Sequence, residues 1–333
     1  MPLRLDEFQQ PQLTGYVQNV PPAREYLLAN LMPVDPVYDI NFAYNVIEGK
    51  YGEAASITGF NASAPLRNPQ EQARAFGQVS KVQHAFRLSE TQLLQYNQPR
   101  SDSEQQAIID AIYVDTDKLS QGVDDIGEYM RAQAIYSGKL EYKDEENDVQ
   151  INVDFGIPEE NKLSTKTNWG EAGATPLTDI QDAVKQFQKA NQRRKPQVIH
   201  MTSATEAQLL QSEQIRTQVY GTDNGQRLLT KNDIQNVFSA LGLPPYDIND
   251  DVIVVNGEEV QLLEDGKVVL IGAEIGNTVV GPTVENNYQP GRFAKPIIES
   301  NPPRETVIVG ESLFPALKQP KAIVIMEVGN DTP

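Results

Sequence analysis

Between Ser103 and Tyr136 the hydrophobic residues recur in steps of three or four: Ile108, Ile112, Leu119, Val123, Ile126, Met130 and Ala134, with Thr116 in the one gap. That period predicts a helix with one apolar face. Ser101, three residues before Glu104, supplies a capping box, and Gly138 suits the left-handed turn that closes a helix. At about 1.5 Å per residue the helix would run roughly 50 Å, which makes it a spine for the fold. Gly122 and Gly127 each cost about 1 kcal/mol relative to Ala and leave room for a bend or break in its second half.

Upstream, six prolines in residues 1–36 frame one short helical candidate, Ala23 to Leu31, whose Tyr26, Leu27, Leu28 and Leu31 favour docking over disorder. From Val37 to Ile47 the period changes to two: Tyr38, Ile40, Phe42, Tyr44 and Val46 share one face of a strand. A second alternating run, Val79 to Leu88, is expected to pair with it. The thirty or so residues between them carry isolated large side chains, and so form a long excursion whose tip needs a partner. Tyr51, Phe60, Leu66, Arg67, Arg74 and Phe76 are the candidate subunit-interface residues there.

Beyond the spine, strands are predicted at Lys139–Tyr142, Val149–Phe155 and Val198–Met201, with helices at Pro176–Asn191, from Ser203 to about Val219, and at Lys231–Leu241. Asn256-Gly257 and Asp265-Gly266 separate three apolar runs, which reads as a three-stranded meander. A loop from Gly281 to Pro303 and two closing strands, Glu305–Val309 and Ala322–Val328, complete the chain. The order is α+β with an inserted domain at roughly 174–297.

Composition narrows the chemistry. The 333 residues carry 46 acidic against 28 basic side chains, a formal charge of −18, and no cysteine. Disulfides, thiol nucleophiles and thiolate metal sites are thereby excluded, and sequence-specific nucleic acid binding is disfavoured. No apolar run is long enough to cross a bilayer, and Met1 to Gln12 is polar, so export is not expected. His84 and His200 read as structural. Asp247, Asn249 and Asp251 alternate like calcium ligands but lack the glycine and closing glutamate of that loop. Asp124, Asp125 and Glu128 could pair for acid–base work, although such runs usually form a solvated helix face. No catalytic, cofactor or metal site is expected.

The segment from Tyr26 to Pro33 (YLLANLMP), Trp169 followed by Thr175 to Ile180 (TPLTDI), and the closing Asn301 to Thr306 (NPPRET), Glu311 to Pro315 (ESLFP) and Pro320 to Val324 (PKAIV) resemble the lambda-type major capsid protein E family of tailed phages, over nearly the whole chain. That resemblance implies an HK97-like capsid fold: an N-terminal arm (1–36), an extended E-loop hairpin (37–88), a peripheral domain with the spine helix (89–173 and 298–333), and an inserted axial α/β domain (174–297). It further implies a non-enzymatic subunit that assembles as hexamers and pentamers into an icosahedral shell in the host cytoplasm and ends in the virion. The implied partners are copies of itself, scaffolding, portal and decoration proteins, and packaged double-stranded DNA, with no membrane. An encapsulin-type shell with protein cargo, or a soluble carboxylate-dependent enzyme, are the alternatives.

Overall fold

The computed structural model describes residues 8–46, 73–99, 101–144, 149–222 and 227–329. In chain order the first elements are α1 (Gln10–Asn19), β1 (Val34–Pro36), β2 (Asn41–Val46), β3 (Ala73–Gln78), β4 (Ser80–Leu88), α2 (Glu90–Tyr96) and α3 (Asp102–Ala132). There follow β5 (Lys139–Asp144), β6 (Val149–Asp154), β7 (Lys162–Ser164), α4 (Pro176–Ala190), β8 (Val198–Met201), α5 (Ser203–Gln211), α6 (Glu213–Tyr220) and α7 (Lys231–Leu241). The remainder are β9 (Tyr246–Ile248), β10 (Val252–Val255), β11 (Glu258–Gln261), β12 (Lys267–Ile271), β13 (Gly276–Thr283), β14 (Gln289–Pro290), β15 (Phe293–Ser300), β16 (Pro303–Leu317) and β17 (Ile323–Glu327). They fall into two compact units: residues 1–43, 76–132 and 276–316, and residues 44–75, 133–275 and 317–333.

The first unit is built on the spine. Helix α3 buries Ile108, Ile112, Thr116, Leu119, Val123 and Met130, the expected register, and the Glu104 amide donates to Ser101 Oγ at 3.2 Å. It passes unbroken through both glycines because each admits a neighbour. A Cβ on Gly122 would stand 2.9 Å from the His84 ring, and one on Gly127 would touch Leu313 and Arg131. The departure from α geometry comes later, as a π turn at Gln133–Ser137 ahead of Gly138, whose φ is +74°. Against α3 lies a six-stranded sheet containing β1, β13, β14, β16, β15 and β4. Phe8, Leu13, Val17, Leu88, Leu93, Ala294, Val307 and Val309 close the core with the helix.

Several expectations fail here for identifiable reasons. The N-terminal helix is α1, with Pro11 in its first turn and Leu13 and Val17 buried. Residues 23–32 turn instead, with the Leu31 and Met32 amides both bonded to the Leu28 carbonyl at 3.1 Å. Strand β4 pairs with β16, from Ser80 opposite Leu313 to Leu88 opposite Glu305, and the partner of β2 is β3. His84 of β4 is exposed, so the apolar face expected around it is incomplete. The segment read as a loop from Gly281 contains β14, β15 and part of β13. Pro315 does not interrupt β16, which runs on from Pro303 to Leu317. Helix α2, unforeseen, carries a complete capping box between Ser89 and Gln92.

The second unit centres on a five-stranded sheet of order β7-β17-β12-β8-β9, covered by α4, whose Leu177, Ile180, Val184 and Phe187 are buried as the register requires. The antiparallel pair β5–β6 matches expectation. The meander does not form as a unit. Strands β10 and β11 make a hairpin around Asn256 and Gly257, both at positive φ, but β12 leaves them for the centre of the sheet between β17 and β8. Val268 to Ile271 are buried in succession, the signature of a strand covered on both faces. The helix expected from Ser203 to Val219 is two, because Thr202 caps α5 and Ser212 then caps α6.

Val123 is fully buried beneath α1 and the sheet. Val123→Asp is expected to cost about 3 kcal/mol or more by placing an unpaired carboxylate there, read as a fall in the urea midpoint; Val123→Ile at the same site should shift it little.

Candidate functional site

The three carboxylates of the spine are neither solvated nor paired with one another. Glu128, fully buried, accepts the Leu28 backbone N–H on Oε1 at 2.7 Å and Arg131 Nε on Oε2 at 2.8 Å. Arg131 Nη1 in turn donates to Thr278 Oγ1 at 3.3 Å, and that hydroxyl donates to the Met32 carbonyl at 2.9 Å. Asp125 takes Arg24 Nη2 at 2.7 Å and the Tyr26 hydroxyl at 2.8 Å. Asp124 receives a bidentate guanidinium from Arg292, which also reaches Glu311 at 3.4 Å. Two turns earlier on the same helix, Asp117 takes the Tyr16 hydroxyl at 2.7 Å.

Burial, then Asp117, pushes the Tyr16 hydroxyl up to about 12; burial and Asp125 raise Tyr26 as well. Burial raises Glu311 above the ordinary carboxyl range, and Arg292 offsets part of that. Tyr26, Asp124, Arg131, Arg292 and Glu311 line a cleft of about 420 Å³ with Val17, Val123 and Val280. The Glu128, Asp125 and Asp117 contacts hold the N-terminal segment onto the spine, and the Arg292 contacts tie Asp124 of the spine to Glu311 of β16. The i,i+3 spacing of Glu128 and Arg131 was visible in the sequence; their partners, about 100 and 147 residues away, were not.

The second unit contains a shorter polar chain. His200 is buried on β8, its Nδ1 lies 2.8 Å from the Tyr136 hydroxyl, and that hydroxyl accepts Asn249 Nδ2 at 2.8 Å. Burial pushes the His200 pKa down to about 4. Asn249, one of the alternating Asp/Asn positions, thus serves a hydrogen-bond chain; among the described residues no group of three or more His, Asp or Glu is arranged to hold a metal ion.

Of the six candidate interface residues, Phe76 is on β3 and 81 % exposed. Arg74 lies in the same strand, and Tyr51, Phe60, Leu66 and Arg67 lie outside the described residues. Two exposed side chains join Phe76 at the root of the excursion: Tyr38 and Ile40, placed by the period on a face expected to be covered. The other side of this root is well packed. Phe42 sits edge-on to Phe314 at 5.7 Å and over Gly77, where a Cβ would approach its ring to 2.6 Å. Phe76, Tyr38 and Ile40 are thus exposed beside a stem on which Phe42 packs against Phe314.

With this geometry in hand, a family model described as phage major capsid protein E matches residues 9–328. Among solved structures, a prophage protein of Escherichia coli CFT073 described as a candidate capsid protein is 15 % identical over 78 % of this chain and 80 % of its own, with a TM-score of 0.57. A phage-related protein of Bordetella bronchiseptica RB50 is 11 % identical over 96 % of each chain, with a TM-score of 0.57. The mature capsid of bacteriophage PhiM1 supplies a third, 8 % identical over 94 % of this chain and 90 % of its own, with a TM-score of 0.50. No curated protein matches. The shared architecture is the HK97-like capsid fold.

Two outcomes check the buried polar groups. Glu128→Leu is expected to cost about 3–5 kcal/mol by stranding Arg131, and adding Arg131→Met should recover part of it, the remainder being the orphaned Leu28 N–H; denaturant titration of both variants decides this. For His200, the folded-state value lies below the unfolded one of about 6.5. Its contribution is therefore complete above that pH and is lost on acidification, by about 3 kcal/mol at pH 4. His200→Gln should flatten the pH dependence of unfolding across that window.

Proposed function

We propose, from the premise that this chain belongs to the phage major capsid protein E family, that it is the shell-forming subunit of a tailed-phage head, assembling as hexamers and pentamers into an icosahedral capsid around packaged double-stranded DNA. In this proposal residues 1–36 are the N-terminal arm, 37–88 the E-loop, 89–173 and 298–333 the peripheral domain, and 174–297 the axial domain. Assembly takes place in the host cytoplasm with scaffolding and portal proteins, and a decoration protein is a further partner. The role is structural rather than catalytic.

The observation that carries the assembly reading is the root of the excursion. A closed ring of identical subunits needs two different complementary surfaces on each copy. Phe76, Tyr38 and Ile40 are exposed on a stem that Phe42, Gly77 and Phe314 hold in place. Burying those three side chains against a neighbour would remove apolar surface that isolated soluble subunits ordinarily cover. Tyr51, Phe60, Leu66, Arg67 and Arg74 are proposed to extend the same contact, with the arginines meeting carboxylates of the next copy. The acid excess of the chain suits a container that must not trap DNA on its wall.

Replacing residues 52–75 by a short Gly-Ser linker should leave circular dichroism of the subunit native-like, since loop-closure cost changes slowly with length, while abolishing shells in sedimentation and negative-stain microscopy. Normal shells from the shortened chain would remove the assembly role of the excursion, and small particles from the full-length protein would overturn the capsid reading. Protein cargo without DNA in purified shells would instead identify a compartment of the encapsulin type.

A further inference from the structure

The second unit is electrically lopsided. Residues 183–205 contain no Asp or Glu but five cations, Lys185, Lys189, Arg193, Arg194 and Lys195, whereas residues 232–266 contain no Lys or Arg and eight carboxylates. The sheet puts the Arg193–Lys195 turn of the first stretch and four carboxylates of the second, Asp250, Asp251, Glu264 and Asp265, at opposite ends. The basic turn immediately precedes β8, and Lys195 Nζ bonds the Gly242 carbonyl ahead of the parallel strand β9, which marks the same end. Lys321 adjoins it, since Asn191 Nδ2 donates to its carbonyl at 2.6 Å. Asp250 and Asp251 follow β9, and Glu264 and Asp265 precede β12, which runs antiparallel to β8; both pairs therefore stand where β8 finishes. The hairpin β10–β11, with Glu258 and Glu259 exposed beside Val252 and Val254, belongs to that end by sequence and by the Leu262 amide bonded to the Asp251 carbonyl.

The basic end is built rather than incidental. Gln192 and Arg193 both adopt positive φ, 54° and 61°, a conformation glycine would take without strain. The turn is fixed by Arg193 N–H to the Gln188 carbonyl at 2.8 Å and Arg194 N–H to the Asn191 carbonyl at 2.9 Å. Lys185 is taken by Asp182, and Glu159 in the neighbouring turn by Lys162, but Lys189, Arg193 and Arg194 have no ion pair among the described residues. Two exposed arginines with no ion pair among the described residues, one of them held at positive φ, in a chain of charge −18 point to a partner that is acidic.

We propose that this partner is the acidic end of the same unit in a second copy of the chain, giving a head-to-tail contact through which neighbouring subunits are set in register. The inference rests on the shell reading above and names a second surface for it. Opposite charges on the two ends make the contact heterologous, the type that closes rings, and penalise the head-to-head and tail-to-tail alternatives by like-charge repulsion.

The test uses full-length protein. Arg193→Glu with Arg194→Glu makes both ends acidic, and Glu258→Lys with Glu259→Lys makes both ends less complementary in the opposite sense. Each pair should keep wild-type circular dichroism and melting yet raise the concentration needed for assembly about tenfold or more, read by sedimentation at low salt. The chain carrying all four reversals should regain assembly. Undiminished assembly by both double variants, or no recovery in the fourfold variant, overturns the contact. So does a double arginine variant that assembles normally but no longer retains a double-stranded DNA fragment, which would make the patch a nucleic-acid surface. Wild-type protein that never forms shells overturns the shell reading instead, whatever the variants do.

Discussion

The first unit depends on one buried carboxylate. Glu128 is fully buried, and its two oxygens are met by protein donors that come from the helix itself and from a backbone about 100 residues earlier. Arg131 then needs a second partner and finds it in β13 through Thr278, whose hydroxyl returns to the N-terminal segment at Met32. An unpaired charge in that position would be far costlier than a mispacked methyl, so helix, N-terminal segment and sheet are set jointly. Asp117, Asp124 and Asp125 repeat the arrangement at lower burial along the same helix. The surrounding hydrophobic core supplies most of the cohesion; the ionic seam specifies which segments meet.

What was legible in the sequence follows from how local each signal is. The apolar face of α3, the register of α4 and the Gly242 cap of α7 are encoded within a few residues of themselves, and the chain forms them as read. Strand partners are a different matter. β12 carries turn chemistry before it and strand chemistry within it, yet only the unbroken burial of Val268 to Ile271 shows that it belongs inside a sheet and not on a hairpin. β4 likewise alternates as expected but pairs with residues more than 200 positions away. The spine carboxylates looked like a solvated face because charge in a helix is locally indistinguishable from that, whichever distant donor it meets.

The family was legible from scattered motifs in their order. Phe76 is exposed, and so are Tyr38 and Ile40, which share their alternation with the better-covered Phe42. Period two reports that a face is apolar; it does not report whether the cover comes from the same chain. For a protein whose work is to meet copies of itself, that ambiguity is intrinsic to the pattern.

The placement of α1 has a kinetic consequence. Thr14 Oγ1 donates to the Ala294 carbonyl and Gln10 Nε2 to the Glu285 carbonyl, contacts that join residues 280 and 275 positions apart. At roughly 5–20 residues per second of synthesis, the beginning of the chain waits on the order of 15–60 s before the strand it docks on has left the ribosome. A nascent chain therefore cannot close this unit until residues 285–294 have been made, and α1 must until then remain without the strand it packs on.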